Sequence, residues 1–143
     1  MKYHFKIHKE GKGYWTECVE LSGCLTQGDS KSELLKNMEE ALNLYLSEDE
    51  DSEVFFPLPR RQVKGRNIVA VAVYPEVAFA MQLRRIRHKR KITQKAMMEI
   101  LGIRTLSNYQ RLEDPTRANP ELKTLAFVCR KLPEFEVRLV VGE

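Results

Sequence analysis

Apolar and polar residues alternate at the start of the chain. Tyr3, Phe5 and Ile7 are separated by polar residues, which gives the two-residue period of a half-buried strand. A turn with two glycines follows, and Tyr14 to Val19 is rich in aromatic and β-branched residues. The pattern predicts a β-hairpin, and Leu25 to Gly28 predicts a short third strand.

A helix and a further strand are predicted next. Ser30 and Glu33 have the spacing of a capping box, in which two side chains satisfy backbone N–H groups at a helix start. The run from Ile68 to Val73 is apolar and rich in β-branched residues, which predicts a central strand, covered on both faces and parallel to an earlier strand. The first unit therefore has the order β-β-β-α-β. The apolar stripe of its helix comprises Leu34, Leu35, Met38, Ala41, Leu42 and Tyr45.

The second half of the chain has a helical period. From Pro75 the apolar residues recur at three-residue spacings and predict a small helical bundle with a basic first helix. The helix boundaries are read from capping and breaking residues. They are Pro75 at the first start, Thr93 to Gly102 for the second helix, Thr105 to Glu113 for the third, and Asn119-Pro120 to Pro133 for the fourth.

Charge divides the chain in the same way. Residues 1–66 carry 10 Lys and Arg against 12 Asp and Glu, a net charge of −2, whereas residues 67–143 carry 14 against 8, a net charge of +6. An acidic half suits a basic partner, and a basic half suits a polyanion such as nucleic acid. We therefore expect an α+β protein with a sheet domain at 1–74 and a helical domain at 75–143.

Length and composition exclude several classes of protein. A chain of 143 residues is too short for a large multi-domain enzyme. The longest apolar run, Ile68 to Val73, is far below the roughly 20 residues of a membrane span, and no signal segment opens the chain. We therefore expect a cytoplasmic protein. Its three cysteines form no Cys-x-x-Cys pair and are expected to be reduced, partly buried thiols.

The segment from Leu83 to Leu112 carries the most specific motif. A helix, a Thr-Gln pair opening a second helix, a turn glycine and a polar third helix form the layout of a helix-turn-helix. It resembles the Xre/Cro-type family from Pro75 to about Leu132, with about one extra residue after Gly102. The resemblance depends on Leu83-x-x-Ile86-Arg87, Ile92-Thr93-Gln94, Ala96, Ile100-Leu101-Gly102-Ile103, Tyr109-Gln110-Arg111-Leu112-Glu113 and Asn119-Pro120-x-Leu122-x-x-Leu125.

This resemblance implies a set of DNA-contacting side chains. In the family, the first Gln of the second helix touches the DNA backbone, which makes Gln94 a phosphate contact. Polar residues early in the third helix read bases, and Asn, Gln and Arg side chains can pair with base edges. The alternative is a helical bundle whose basic face is merely solvated. The groove-facing candidates are Thr105, Ser107, Asn108, Gln110 and Arg111.

The sheet unit, taken together with this helix-turn-helix, resembles the HicB-type antitoxin family. The resemblance implies a degenerate RNase H-like domain, a HicA-like mRNA-cleaving toxin as partner, and operator DNA at which the antitoxin represses its own operon. Val19 to Ser22 departs from the family, which commonly has prolines there. The matching residues are Tyr14-x-x-x-x-Val19, Leu21-x-Gly23-Cys24-x-Thr26-Gln27-Gly28-Asp29-Ser30, Glu33-Leu34, Ala41-Leu42 and Pro57-Leu58-Pro59.

Candidate toxin contacts lie in the acidic half. A nuclease that grips RNA must carry positive charge, so an acidic surface could occupy its RNA-binding face. An exposed Trp15 would be a candidate partner anchor, although packing on the sheet is the simpler role. The acidic residues could equally be a solvated helix end. The candidates are Glu39, Glu40, Glu48, Asp49, Glu50, Asp51 and Trp15.

No catalytic or metal site is expected. Two-metal phosphodiester chemistry needs several carboxylates at strand ends, and the segment from Tyr3 to Lys9 has none. His4 and His8 share a strand face but lack a third ligand, and we expect them to be exposed imidazoles on an edge strand. We therefore expect a protein that is not an enzyme and needs no cofactor.

The C-terminal residues alternate again. Glu134 to Val141 predicts a final strand, whose simplest partner is the same strand of a second copy in a homodimer or higher oligomer. Docking on the sheet of the same chain is the alternative. A second reading of function is a stand-alone regulator with a ligand-binding or dimerising sheet domain, which an apolar pocket there would favour. The proposed dimer contacts are Phe135, Val137, Leu139 and Val141.

Overall fold

A computed structural model describes residues 1–47 and 55–142. Contacts divide the described chain into two compact units, one with residues 1–46 and 55–73 and one with residues 74–142. The α+β class expected from the sequence is confirmed. The elements are β1 (Lys2–Glu10), β2 (Gly13–Cys18), β3 (Leu25–Gly28), α1 (Lys31–Leu46) and β4 (Ile68–Ala72), followed by α2 (Pro75–Lys89), α3 (Gln94–Ile100), α4 (Leu106–Glu113), α5 (Leu122–Lys131) and α6 (Arg138–Val141).

The first unit is an antiparallel sheet of strand order β3-β2-β1-β4 with α1 packed on it. The predicted hairpin is confirmed, with Phe5 opposite Cys18. The capping box is confirmed with a shift of one residue: the Glu33 N–H donates to Ser30 Oγ at 3.2 Å, and Glu33 Oε2 accepts from the Asp29 N–H. The core of this unit includes Tyr3, Phe5, Leu34, Met38 and Leu42, all fully buried.

The prediction for β4 was wrong in both position and direction. β4 lies at an end of the strand order and pairs antiparallel with β1, with Phe5 opposite Val69. Ala70 and Ala72 are exposed while Val71 is buried, so only one face is covered. The reason is that alanine tolerates solvent, and the long connection from α1 to β4 lets the chain enter the sheet from the opposite end.

The second unit is a helical bundle around one apolar core. The predicted inward residues of α2 are buried, and Thr93 caps α3 as predicted. Thr105, where the third helix was predicted to begin, is the N-cap of α4. The cap predicted at Asn119-Pro120 was wrong, because Pro120 holds the preceding residue in extended backbone and α5 begins only after Glu121. The core comprises Phe79, Ala80, Leu83, Ile86, Met97, Leu101, Tyr109, Leu112, Ala118, Val128, Leu132 and Phe135.

The predicted C-terminal strand is also wrong. Phe135 turns into the core, where its ring meets Phe79 edge-on at 5.3 Å between centroids. The chain then forms α6, in which the N–H of Val141 donates to the carbonyl of Val137 at 3.1 Å. Because these backbone groups are satisfied locally, the segment needs no neighbouring strand. The prediction of a strand-paired dimer is therefore wrong. Of its proposed contacts, Val137 and Val141 are exposed, whereas Leu139 is half-buried.

Two further observations concern the whole described chain. Cys18 and Cys24 are buried, Cys129 is half-buried, and all three are free thiols, as predicted. None of the described helices is long and apolar enough to span a membrane.

Candidate functional site

Helix α4 has two chemically different faces. Tyr109, Leu112 and Glu113 are buried in the second unit. The opposite face carries four of the DNA-contact candidates, all exposed to solvent: Thr105, Ser107, Asn108 and Arg111. The fifth candidate on this helix, Gln110, is half-buried between the two faces.

The turn before α4 has a defined backbone. Gly102 adopts φ +66°, a left-handed conformation in which a side chain is strained. The following N–H of Ile103 donates to the carbonyl of Met98 at 3.0 Å, which closes the end of α3. The hydroxyl of Thr105 then accepts the N–H of Asn108 at 3.2 Å. The polar face of α4 is thus held in place by hydrogen bonds at its start.

A buried ion pair joins α2 to α4. The Arg87 guanidinium donates from Nε to Glu113 Oε1 at 2.6 Å and from Nη2 to Glu113 Oε2 at 3.0 Å. The Tyr109 hydroxyl donates to the same carboxylate. Burial disfavours charge on Arg87, but the hydrogen bonds and charge of Glu113 outweigh it and raise the pKa of the guanidinium. Burial and the neighbouring carboxylate raise the pKa of Tyr109, which stays a neutral donor.

This ion pair extends to the two glutamine candidates. Gln94 Nε2 donates to Glu113 Oε2 at 3.1 Å, and Gln110 Nε2 donates to Gln94 Oε1 at 3.0 Å. The structure therefore brings Gln94 and Gln110 together. Sequence reasoning missed the central role of Glu113, although a Tyr and a Glu four residues apart on a buried helix face were a usable signal.

The basic run at the end of α2 is divided among different roles. Arg87 is buried in the ion pair, and Arg90 forms a bidentate pair with Glu134 at 2.7 and 2.8 Å. Arg85, Lys89 and Lys91 are exposed. The exposed positive charge of this helix end is therefore smaller than the sequence indicates, because two of its cations are neutralised within the unit.

In the first unit, Trp15 lies on a cross-strand pair. Its ring stacks on His8 with 4.0 Å between centroids and 15° between planes, and His8 Nε2 lies 3.1 Å from Glu17 Oε1. Trp15 is half-buried, so part of its ring faces solvent. Glu39 and Glu40 are exposed on α1. The remaining toxin-contact candidates, Glu48, Asp49, Glu50 and Asp51, lie outside the described residues.

The expectation of an exposed His4 was wrong. β1 has a neighbour on each side, and His4 is buried, with Nδ1 2.7 Å from Glu20 Oε1. Glu20 also accepts the backbone N–H groups of His4 and Arg60, so it ties the segment after Pro59 to the sheet. Burial alone would raise the pKa of Glu20, but the hydrogen bonds from His4 and Arg60 lower it below its usual value.

A known relative decides the family. A protein named UPF0150 protein, from Helicobacter pylori (strain J99 / ATCC 700824), is 36% identical to this chain over 74 residues, which are 92% of the relative and 52% of this chain. This chain belongs to the UPF0150 family. No family model matches the sequence.

The UPF0150 match does not extend over the whole chain. The relative is only slightly longer than the 74 aligned residues, whereas this UPF0150 chain has 143 residues in two compact units. About half of this family member therefore has no counterpart in that relative. The DNA-contact candidates all lie in the second unit, and Trp15, Glu39 and Glu40 all lie in the first.

Proposed function

We propose that this chain is a type II antitoxin of the HicB kind, which neutralises a HicA-like mRNA-cleaving toxin and represses its own operon. Membership of the UPF0150 family and the HicB-type residues from Tyr14 to Ser30 support the first role. The two-faced α4 supports the second. We propose that the chain acts by binding and is not an enzyme.

The observation that carries DNA binding is the polar face of α4. In a helix-turn-helix, the second of two short helices enters the major groove and presents side chains near its start. Here α3 and α4 are joined by the Gly102 turn, and Ser107 and Asn108 are exposed in the first turn of α4. We propose that Asn108 reads a base edge, and that Gln110, whose amide donates to Gln94, makes a second polar contact with the DNA.

The proposal also extends to the fold of the sheet unit. We propose that this unit, whose elements follow the order β-β-β-α-β with β4 antiparallel to β1, is a degenerate RNase H-like domain. The absence of a carboxylate between Tyr3 and Lys9 supports a binding role for this sheet rather than nuclease chemistry.

We assign toxin binding to this sheet unit. Trp15, with part of its ring in solvent, can supply an apolar anchor, and Glu39 and Glu40 supply negative charge toward a basic partner. We also propose a homodimer or higher oligomer on a palindromic operator, because each helix-turn-helix reads one half-site. This interface does not use a C-terminal strand, because residues 138–141 are helical.

Co-expression tests the antitoxin role. The proposal requires a short basic reading frame next to this gene, and its product is expressed with the full chain, with Trp15→Ala, or with Arg61→Ala as a matched surface control. We expect the wild type and the control to restore growth and Trp15→Ala to restore it poorly. A neighbouring product that is not toxic, or whose toxicity the wild type leaves unchanged, contradicts the proposal. DNase protection of the promoter by the same chains tests the repressor role separately.

A second function is favoured by one observation. The first unit contains a cavity of about 510 Å³ between α1 and the sheet, within the size range of small-ligand pockets. Such a pocket suits a stand-alone helix-turn-helix regulator whose sheet domain binds a ligand. Promoter protection without any toxic neighbour would favour this function over the antitoxin.

A further inference from the structure

The cavity between α1 and the sheet has an apolar floor. It is lined by Ile7 and Val69 from neighbouring strands and by Leu34 and Leu35 from the first turns of α1. Leu35 was predicted to lie on the stripe that faces the sheet, yet it is 47% exposed, because it borders this open space. Leu34 is itself fully buried, so the accessible floor consists of Ile7, Leu35 and Val69. These aliphatic side chains offer no hydrogen bonds and therefore favour a ligand with a hydrocarbon portion.

The rim of the cavity is positively charged. Lys9 and Lys31 are its two charged lining residues, and the lining within the described chain includes no Asp or Glu. Neither ammonium group lies within 4.0 Å of a carboxylate oxygen in the part of the chain that the structure describes. Lys31 is also the first residue of α1, where the helix dipole disfavours a cation and favours an anion. An anionic group at this rim would thus be matched by both lysines and by the helix.

Two neutral polar side chains complete the rim. Tyr14 lies opposite Lys9 on the neighbouring strand, and Asn67 precedes β4 with a left-handed backbone at φ +59°. The carbonyl of Asn67 accepts the N–H of Ile7 at 2.9 Å, which fixes this corner of the cavity. The Tyr14 hydroxyl and the Asn67 amide can each donate a hydrogen bond to a carboxylate oxygen.

We propose that this cavity binds a small amphipathic carboxylate, with the hydrocarbon portion on the aliphatic floor and the carboxylate between Lys9 and Lys31. A free phosphate would leave the floor uncovered, and a neutral alcohol would leave both ammonium groups unmatched. The proposal stands whether the chain is an antitoxin or a stand-alone regulator, because it depends only on the cavity in the first unit.

Titration of the full chain with octanoate tests the site. Binding is followed by calorimetry and by ¹H–¹⁵N NMR, below the concentration at which octanoate forms micelles. We expect saturable binding with the largest amide shifts at Lys31, Leu34 and Leu35, and at least tenfold weaker binding of octanol and of inorganic phosphate. Absence of saturation, equal binding of octanol, or shifts confined to the second unit would overturn the proposal.

Two variants and a matched control separate charge from general surface effects. Lys9→Gln/Lys31→Gln removes both rim charges, and Leu35→Glu places a carboxylate in the cavity. All three residues are exposed, so we expect both variants to fold. The same NMR spectra check that they do. We expect at least a tenfold loss of octanoate affinity in both. Lys12→Gln/Lys36→Gln makes the same charge change away from the cavity and should leave affinity within twofold. An equal loss of octanoate affinity in the control would refute the role given to Lys9 and Lys31. Growth rescue and promoter protection test the proposed function independently of this site.

Discussion

The side chain of Gln82 takes the place of a neighbouring strand for the backbone of Glu136. Gln82 Nε2 donates to the carbonyl of Glu136 at 3.2 Å, and Gln82 Oε1 accepts its N–H at 2.9 Å. A single buried amide on α2 thus satisfies both backbone groups of a residue that the sequence placed in a strand. The pair fixes the C-terminal segment on the core, where Phe135 follows the end of α5.

Removing the Gln82 amide should therefore loosen the C-terminus. Gln82→Met keeps the volume but leaves the two Glu136 groups without this partner, and we expect a loss of roughly 1–3 kcal/mol in the free energy of unfolding. Urea unfolding measures the loss, and amide hydrogen exchange at Glu136 should become faster. Val137→Ala, at an exposed neighbouring position, serves as the control and should change stability by less than about 0.5 kcal/mol. Equal stability of the wild type and Gln82→Met would contradict the role given to this amide.

The buried ion pair of the second unit makes a stronger prediction. Arg87→Met leaves the Glu113 carboxylate buried without its cation, and we expect destabilisation of roughly 3–5 kcal/mol in urea unfolding. Arg90→Met makes the same change three residues later, at the C-cap of α2, and breaks only the partly exposed pair with Glu134, which should cost about 0–1 kcal/mol.

A double variant separates the charge from the packing. Arg87→Met/Glu113→Leu removes both buried charges and should regain much of the lost stability. If Arg87→Met lowered the free energy of unfolding no more than Arg90→Met, the buried ion pair would not be a major contribution to the stability of the second unit.

The DNA-reading role proposed for α4 predicts a difference between two kinds of contact. Asn108→Ala should lower operator affinity by roughly 1–3 kcal/mol and leave affinity for unrelated DNA unchanged, because a base contact is lost. Arg104→Gln, in the exposed turn before α4, should lower both affinities and reduce the salt dependence by about one counterion. Fluorescence anisotropy titrations at several salt concentrations measure both effects. A uniform loss for Asn108→Ala would move base reading to another residue.

The elements that could be predicted are those whose signals are local. The hairpin, the capping box at Ser30, the N-cap at Thr93 and the Gly102 turn depend on residues a few positions apart, and the structure has each of them. The predictions of secondary structure and strand pairing were wrong where a residue distant in sequence determines the conformation. Alternation from Phe135 to Val141 does not reveal that Gln82 will satisfy the backbone. A run of Val and Ala does not reveal on which side of β1 it will pair.

The arrangement of side chains around α4 combines local and distant contacts. The exposed positions of α4 follow from the spacing of polar residues along this helix, whereas the buried pair of Arg87 and Glu113 joins residues 26 positions apart. In the sequence, Arg87 is one of six basic residues near the end of α2, and only the fold distinguishes it from Lys89 or Lys91.

The three thiols should differ in reactivity. Burial raises the pKa of Cys18 to about 12 and that of Cys24 to about 11, so at pH 8 roughly one in a thousand or fewer of these groups is a thiolate. Cys129 is half-exposed on α5. We expect iodoacetamide to label Cys129 first and to reach the other two only after urea unfolding, as mass spectrometry of peptides would show. Rapid labelling of Cys18 in the native protein would contradict its burial.

Glu20 predicts a specific pH dependence of stability. Its hydrogen bonds lower the pKa of the folded-state carboxyl below the usual value near 4.5, so the ionised form stabilises the folded protein. This contribution is fully present above pH 4.5 and is lost as the pH falls through the lowered folded-state value. The stability difference between wild type and Glu20→Gln should therefore be larger at pH 7 than at pH 3 in urea unfolding. Glu10→Gln, at the exposed end of β1, controls for loss of one negative charge and should show a much smaller difference. A wild-type advantage that is the same at both pH values would mean that the Glu20 charge contributes nothing, and that its role is limited to the shape of the hydrogen-bonding group.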